Sequence, residues 1–350
     1  MHDRLGMETA NIQQALAIYR LSDALIPTAV VGKVMSLPLS DINLNTSSQY
    51  SQLRWSPFDG REVYSLEIQT SLEGWEACKE RLTSFVAGNP LLNIELTTTP
   101  KADFMAEVNA IKSMILDGKG NKIVAARTSS IEKDVNSETL WGSFEALCDR
   151  YPKAFVFILF DPIQGCWMGA TPERLISWFG DEARIMSLAG TLTQAQSDWT
   201  GKERNEQSVT SRFIREKVLE MGIEPNETGV KELEMGNIRH LVSDWYFPLE
   251  RMRLSGLING LHPTPAVGGY PQAWAVDWIL NHEGFDRGLY AGFIGVEGDD
   301  FASYHVVLRC CKLGSNGYVL FAGCGVNEES DPETEWQETS AKMQLISAYL

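Results

Sequence analysis

The chain has 350 residues and a mass of 39.0 kDa, 44% hydrophobic and 22% charged. That balance suits a folded protein with a substantial core and excludes disordered and fibrous classes. The formal net charge of -16 excludes a nucleic-acid surface, and it requires that any anionic substrate be met by a metal ion or a well-placed arginine. No segment approaches the roughly 18 apolar residues of a membrane span. The N-terminal MHDRLGMETANIQQ lacks the charged head and apolar run of a leader. The six cysteines, Cys78, Cys148, Cys166, Cys310, Cys311 and Cys324, form no CxxC pair, so reduced thiols and a cytoplasmic location without membrane partners are expected.

No repeat or long linker interrupts the chain, so residues 1–350 read as one folding unit. In the first hundred residues, REVYSLEIQ (61–69) resembles a strand, and Leu72, Trp75, Leu82 and Phe85 fall near one helical face. MAEVNAIKSMILDG (105–118) places Val108, Ile111, Met114 and Ile115 at helical spacing, and Gly118 and Gly120 should stop that helix. The strand KIVAARTS follows, then a meander of KAFVFILF, CWMGATPE, RLISWF and ARIMSLAGT separated by turns. Residues 201–221 carry a helical stripe of Val209, Phe213, Ile214, Val218 and Met221. SYHVVLRCCKL and YVLFAG form a hairpin about Asn316-Gly317, in which Cys310 and Cys311 would face opposite ways, and ETEWQETSAKMQLISAYL is helical. Strands in consecutive runs with helices between the runs predict an α+β fold of large, mostly antiparallel sheets.

Two predicted helices carry glutamates three residues apart, Glu203 with Glu206 in KERNEQ and Glu335 with Glu338 in ETEWQE. Each pair shares one helical face. A solvated surface is the ordinary explanation of one such pair in an acidic chain. The second pair, however, follows a glycine turn expected at FAGCGV, and Trp336 between its glutamates can pack inward while they face a cavity. Hard cations such as Mg2+ take carboxylate oxygens and keep several waters, so one or two glutamates per helix suffice. A di-iron site would need Glu-x-x-His motifs in a helical bundle, which these segments lack.

These residues resemble the chorismate-utilising enzymes, which include isochorismate, salicylate and anthranilate synthases. The resemblance covers residues 105–350 and rests on ordered blocks: NKIVAAR, GATPERL, LAGT, KERNEQ, IRHL, EGFDRGLYAG, HVVLRC, FAGCGV and DPETEWQETSAKM. It makes 105–350 the catalytic core and leaves 1–104 to complete the sheets. It implies antiparallel sheets packed together with helices outside, chorismate as the small-molecule partner and Mg2+ as cofactor; a monomer is expected, with an oligomer left open. Lys122 is implied as the general base that activates water at C2, and Glu173 as the acid that protonates the C4 hydroxyl. Each must be held in the form opposite to its charge in water. Glu206 and Glu338 are implied as the main metal ligands, with Glu203 and Glu335 nearby. Arg309 and Tyr290 are implied at a substrate carboxylate, Gly323 and Gly325 at another through backbone N–H groups, and Gly190 and Thr191 at the departing hydroxyl. His240 and Lys342 also match. Cys324 stands where many members have alanine, and Ala341 where asparagine is usual.

Among the family's reactions, Lys122 in place of glutamine disfavours anthranilate synthesis, and Ala189 in place of lysine disfavours aminodeoxychorismate synthesis. The resemblance therefore implies isochorismate synthesis. Salicylate synthesis shares the lysine and the glutamate and stays open, while a non-catalytic chorismate binder would need no paired acid and base.

Overall fold

The computed structural model describes residues 14–38, 52–193, 198–235 and 238–350. The first strands are β1 (Ala15–Arg20), β2 (Thr28–Pro38), β3 (Gln52–Ser56) and β4 (Glu62–Glu73), followed by helices α1 (Trp75–Gly88) and α2 (Lys101–Leu116). Then come β5 (Lys122–Glu132), α3 (Ser137–Arg150), β6 (Phe155–Asp161), β7 (Gly165–Thr171), β8 (Arg174–Phe179) and β9 (Glu182–Thr193). After α4 (Gly201–Glu220) lie β10 (Asn226–Glu227), β11 (Lys231–Met235), β12 (Ile238–Pro248), α5 (Leu254–Leu261), β13 (Gly269–Tyr270) and α6 (Gln272–His282). The order finishes with β14 (Phe293–Glu297), β15 (Phe301–Val306), β16 (Cys310–Gly314), β17 (Gly317–Val326) and α7 (Pro332–Ser347). Among the described residues no helix is long and apolar enough to cross a membrane.

Among the described residues every strand pairing is antiparallel. One half runs β13, β5, β17, β16, β7, β6, β1, β2, and the other β4, β3, β14, β15, β8, β9, β12. Long β2 and β4 pair with each other and join the halves, while β10 and β11 line the outer edge of β12. Residues of the first hundred therefore supply the seam between the two half-sheets.

The two-residue period of a strand separates two cores. Along β6, Phe155, Phe157 and Leu159 enter one core, and Val156, Ile158 and Phe160 enter the other. The second core lies beneath α1, α3 and α7, where Leu82, Phe144 and Ile346 are buried. The first is shared between the half-sheets, with Trp167 and Phe321 of one half and Ile176, Phe293 and Tyr304 of the other. Face-to-face sheets with helices outside satisfy the α+β expectation. Cys310 and Cys311 do face opposite cores, and all six cysteines are buried and unpaired.

Several local expectations change. Leu72 belongs to β4, because Gly74 at φ 103° reverses the chain before α1 starts at Trp75. The helix expected at 105–118 begins a turn earlier, after Pro100, and buries Phe104. SYHVVLRCCKL is two strands, since Arg309 takes a left-handed φ of 46° between β15 and β16. The hairpin loop is Ser315-Asn316, one residue earlier than expected, with Gly314 paired to Gly317. FAGCGV is no glycine turn: it lies inside β17, paired residue by residue with β5.

Candidate active site

Two crossings between the half-sheets create the site. From β7 to β8 the chain leaves one half for the other through Pro172 and Glu173, and from β15 to β16 it returns through Val307, Leu308 and Arg309. The crossings are stitched together by Ala170 N–H donating to the Arg309 carbonyl at 3.1 Å and by Val306 N–H donating to the Glu173 carbonyl at 3.0 Å. A non-glycine residue with left-handed φ is strained, and such strain collects at functional sites. Arg309 is one here.

Beside the crossings lies a cavity of about 690 Å³ counted to its open mouth. It gathers Lys122, Glu173, Glu206, His240, Arg309 and Lys342, and its walls include Gly190, Thr191, Tyr290, Gly323 and Gly325. Glu203, Glu335 and Glu338 lie outside this lining.

Glu173 is 3% exposed, and burial pushes its carboxyl up to about 8 against the opposing pull of Lys122, Arg309 and Lys342. It is therefore protonated at neutral pH and can donate a proton. Lys122 opens β5, equally buried, with its Nζ 3.5 Å from Glu206 Oε2. Room for this pair comes from Gly325: a Cβ there would stand 2.5 Å from Lys122 Cε and 2.8 Å from Glu206 Oε2. Gly323 likewise clears the Tyr290 hydroxyl, which a Cβ would meet at 2.8 Å. These glycines give clearance to neighbouring side chains within a strand.

His240 connects two parts of the site. Its Nε2 accepts from Arg309 at 2.7 Å, so the proton sits on Nδ1, which faces the Gly190 carbonyl and the Thr191 hydroxyl at 3.2 Å each. Burial, then Arg309 and Lys342, hold the imidazole well below its usual range, so it is neutral. Burial also lowers the Arg309 guanidinium to about 10, still a cation at neutral pH and suited to a planar carboxylate. Tyr290 stacks on Phe321 with ring centroids 5.6 Å apart.

Gly190 is a β-bulge: Thr191 faces His240 and Ala189 faces Leu241, which leaves Gly190 unpaired at φ 74°. A Cβ there would stand 2.8 Å from the Glu203 carbonyl oxygen. Gly190→Ala should therefore cost at least about 1–2 kcal/mol for the left-handed backbone alone. The check is a lower urea midpoint at unchanged slope, together with weakened turnover, because the bulge carries the partners of His240.

The acidic pairs divide. Glu203 turns back into the α4 capping box, accepting from Thr200 N–H at 2.8 Å and the Thr200 hydroxyl at 2.5 Å. Glu206, Glu335 and Glu338 are each met by lysine: Glu338 by Lys342 at 2.7 Å, and both Glu335 and Glu206 by Lys202. Burial opposes ionisation of Glu338, but Lys342, Lys202 and Lys122 outweigh it and hold the carboxyl below its usual range. Burial and the Glu338 charge push Glu335 the other way. Among the described residues no three His, Cys, Asp or Glu side chains stand together as a ready metal cage.

Two residues went unread in the sequence. Lys202, four residues before Glu206, carries a legible i,i+4 ion-pair signal within KERNEQ. Arg127 carries none, because its partners are over two hundred residues away. Its guanidinium lies 3.7 Å from the Trp336 ring centroid and donates to Thr339 and Ser340 at 2.7 Å each, which pins α7 to β5. Trp336 packs inward as expected.

Residues 61–350 match the family model of chorismate-binding enzymes. The chain is 34% identical over 265 residues to a salicylate biosynthesis isochorismate synthase of Pseudomonas aeruginosa, covering 69% of this chain and 53% of that one. It is 29% identical over 265 residues to the isochorismate synthase MenF of Bacillus subtilis, covering 71% and 55%. It thus spans about half the length of these two relatives. Isochorismate synthase EntC of Escherichia coli is 28% identical over 309 residues, covering 83% of this chain and 78% of that one. Two solved structures share the fold. The menaquinone-specific isochorismate synthase MenF of Escherichia coli has a TM-score of 0.78 at 20% identity, covering 99% of this chain and 92% of that one. DhbC of Bacillus anthracis, described as a putative 2,3-dihydroxybenzoate-specific isochorismate synthase, has a TM-score of 0.79 at 21% identity, covering 98% and 97%. The family match over most of the chain, on the fold and cavity described above, makes this protein a member of the chorismate-binding enzyme family.

Proposed function

We propose that this protein is a Mg2+-dependent isochorismate synthase that adds water at C2 of chorismate and releases the C4 hydroxyl. The observation that carries this reading is a buried glutamic acid, protonated at neutral pH, in one cavity with a buried lysine. General acid and base groups sharing a pocket suit the exchange of one hydroxyl for another.

In this reading Glu173 donates its proton to the departing hydroxyl. Lys122 is the base that takes a proton from the attacking water. Arg309, oriented by His240, binds a substrate carboxylate, and the Gly190–Thr191 bulge lies beside the C4 hydroxyl.

The residues present fit a hard divalent cation. Glu206, Glu335 and Glu338 supply carboxylate oxygens, and Glu335 Oε2 is buried without a hydrogen-bond partner, an orphaned acceptor that a cation would satisfy. These three side chains would hold Mg2+, and Glu203 would serve the helix cap instead. Bound there, the ion supplies positive charge that offsets the acidic protein for a dianionic substrate. Glu206, committed to the cation, would release Lys122 from its ion pair.

The test is product identification after incubating the enzyme with chorismate and Mg2+. Isochorismate by mass, without fluorescence, is expected. Fluorescent salicylate formed with no added lyase would replace this reading with salicylate synthesis, and turnover only with ammonia would replace it with amination.

A further inference from the structure

The carboxylates suited to a cation are already served by one from the protein. Lys202 Nζ contacts Glu335 Oε1 and lies 3.9 Å from Glu206 Oε1, its side chain only 12% exposed. It thereby bridges α4 and α7, whose glutamates would otherwise repel each other away from water. Its backbone is fixed as well: the Lys202 N–H donates to the Thr200 hydroxyl at 3.2 Å within the α4 cap. Only the flexible side chain can move. Glu335 has one oxygen taken by Lys202 while the other stays buried and unpartnered. An ion using both oxygens would have to take the place of the ammonium on the first.

We propose that Lys202 is a built-in counter-ion that holds the α4 and α7 carboxylates together in the metal-free enzyme, and that divalent-cation binding requires it to leave Glu335, so that Lys202 sets the cation affinity. The inference rests on the cation reading given above. The lysine keeps the metal-free site assembled and also competes with the ion. Removing its charge should strengthen cation binding and weaken the metal-free protein.

The experiment measures Mn2+ binding to the wild-type protein, Lys202→Met and Lys202→Gln by the electron paramagnetic resonance of free Mn2+ at fixed ionic strength. Melting temperatures are taken in chelator and in saturating Mn2+. Both variants should bind Mn2+ at least ~10-fold more tightly than wild type, as expected when a positive charge is removed from a few ångströms away. Both should melt lower than wild type in chelator, with the gap closing in Mn2+. Equal or weaker Mn2+ binding by the variants, with wild-type binding intact, would overturn the counter-ion role and leave the cation reading standing. An unchanged melting temperature in chelator would overturn it equally. No Mn2+ binding by any of the three proteins would overturn both readings. If Lys202→Met does not fold, Lys202→Gln decides, because its amide can still donate to Glu335 without the charge.

Discussion

Glu173→Gln is expected to reduce turnover by at least ~100-fold, the usual contribution of a general acid. Glutamine keeps the shape and a hydrogen-bond donor but transfers no proton, so substrate affinity should change far less than kcat. The pH dependence supplies an independent check. A carboxyl that leaves its proton at about 8 in the free enzyme gives kcat/KM a falling limb above that pH, and the residual activity of Glu173→Gln should lack the limb.

Stability should move the opposite way. The folded-state value of Glu173 lies above the roughly 4.3 of an unfolded glutamate, so its stabilising protonation is fully present below about pH 4 and is lost as pH rises towards 8. Glutamine has no such loss. The variant should therefore melt above wild type by a margin that opens between pH 4 and 8 and levels off beyond. A variant that is inactive and also less stable at every pH would show that Glu173 serves packing rather than catalysis.

Lys122→Ala is the second large effect, again at least ~100-fold in turnover. The truncation leaves Glu206 without its 3.5 Å partner, so Mn2+ binding should persist or tighten while turnover falls. A small primary amine added to the solution can enter the space left by the side chain. Partial recovery of rate with added methylamine, rising with the fraction of free amine as pH rises, is the signature of a lost base. Full activity in Lys122→Ala would remove the lysine from the mechanism.

Much of this was legible along the chain because the signals are local. The meander from β6 to β9, the amphipathic α4 and the closing α7 follow from periods of two and 3.6 residues, and those periods need no partner to be read. The acidic pairs were equally plain, being spaced three apart on helices. Errors came where backbone geometry overrides hydrophobic pattern. SYHVVLRCCKL reads as one apolar strand, but the left-handed Arg309 breaks it, and Gly74 ends a periodicity that Leu72 seemed to share. FAGCGV read as a turn because glycine usually permits one, whereas here the glycines make room for Lys122, Glu206 and Tyr290.

The ordered motif blocks alone determined the family, and composition alone required that an anionic substrate be met by localised positive charge. Tertiary structure decided how the glutamates of the two acidic pairs are partnered. Glu203 and Glu206 are equivalent in sequence, yet one caps its own helix while the other meets Lys122 of β5. Lys202 and Glu335, 133 residues apart, become partners only when the fold brings α4 and α7 within reach of each other. Protonation of Glu173 is likewise a property of the fold: it follows from burial at the crossing between half-sheets, and burial depends on neighbours that no local pattern names.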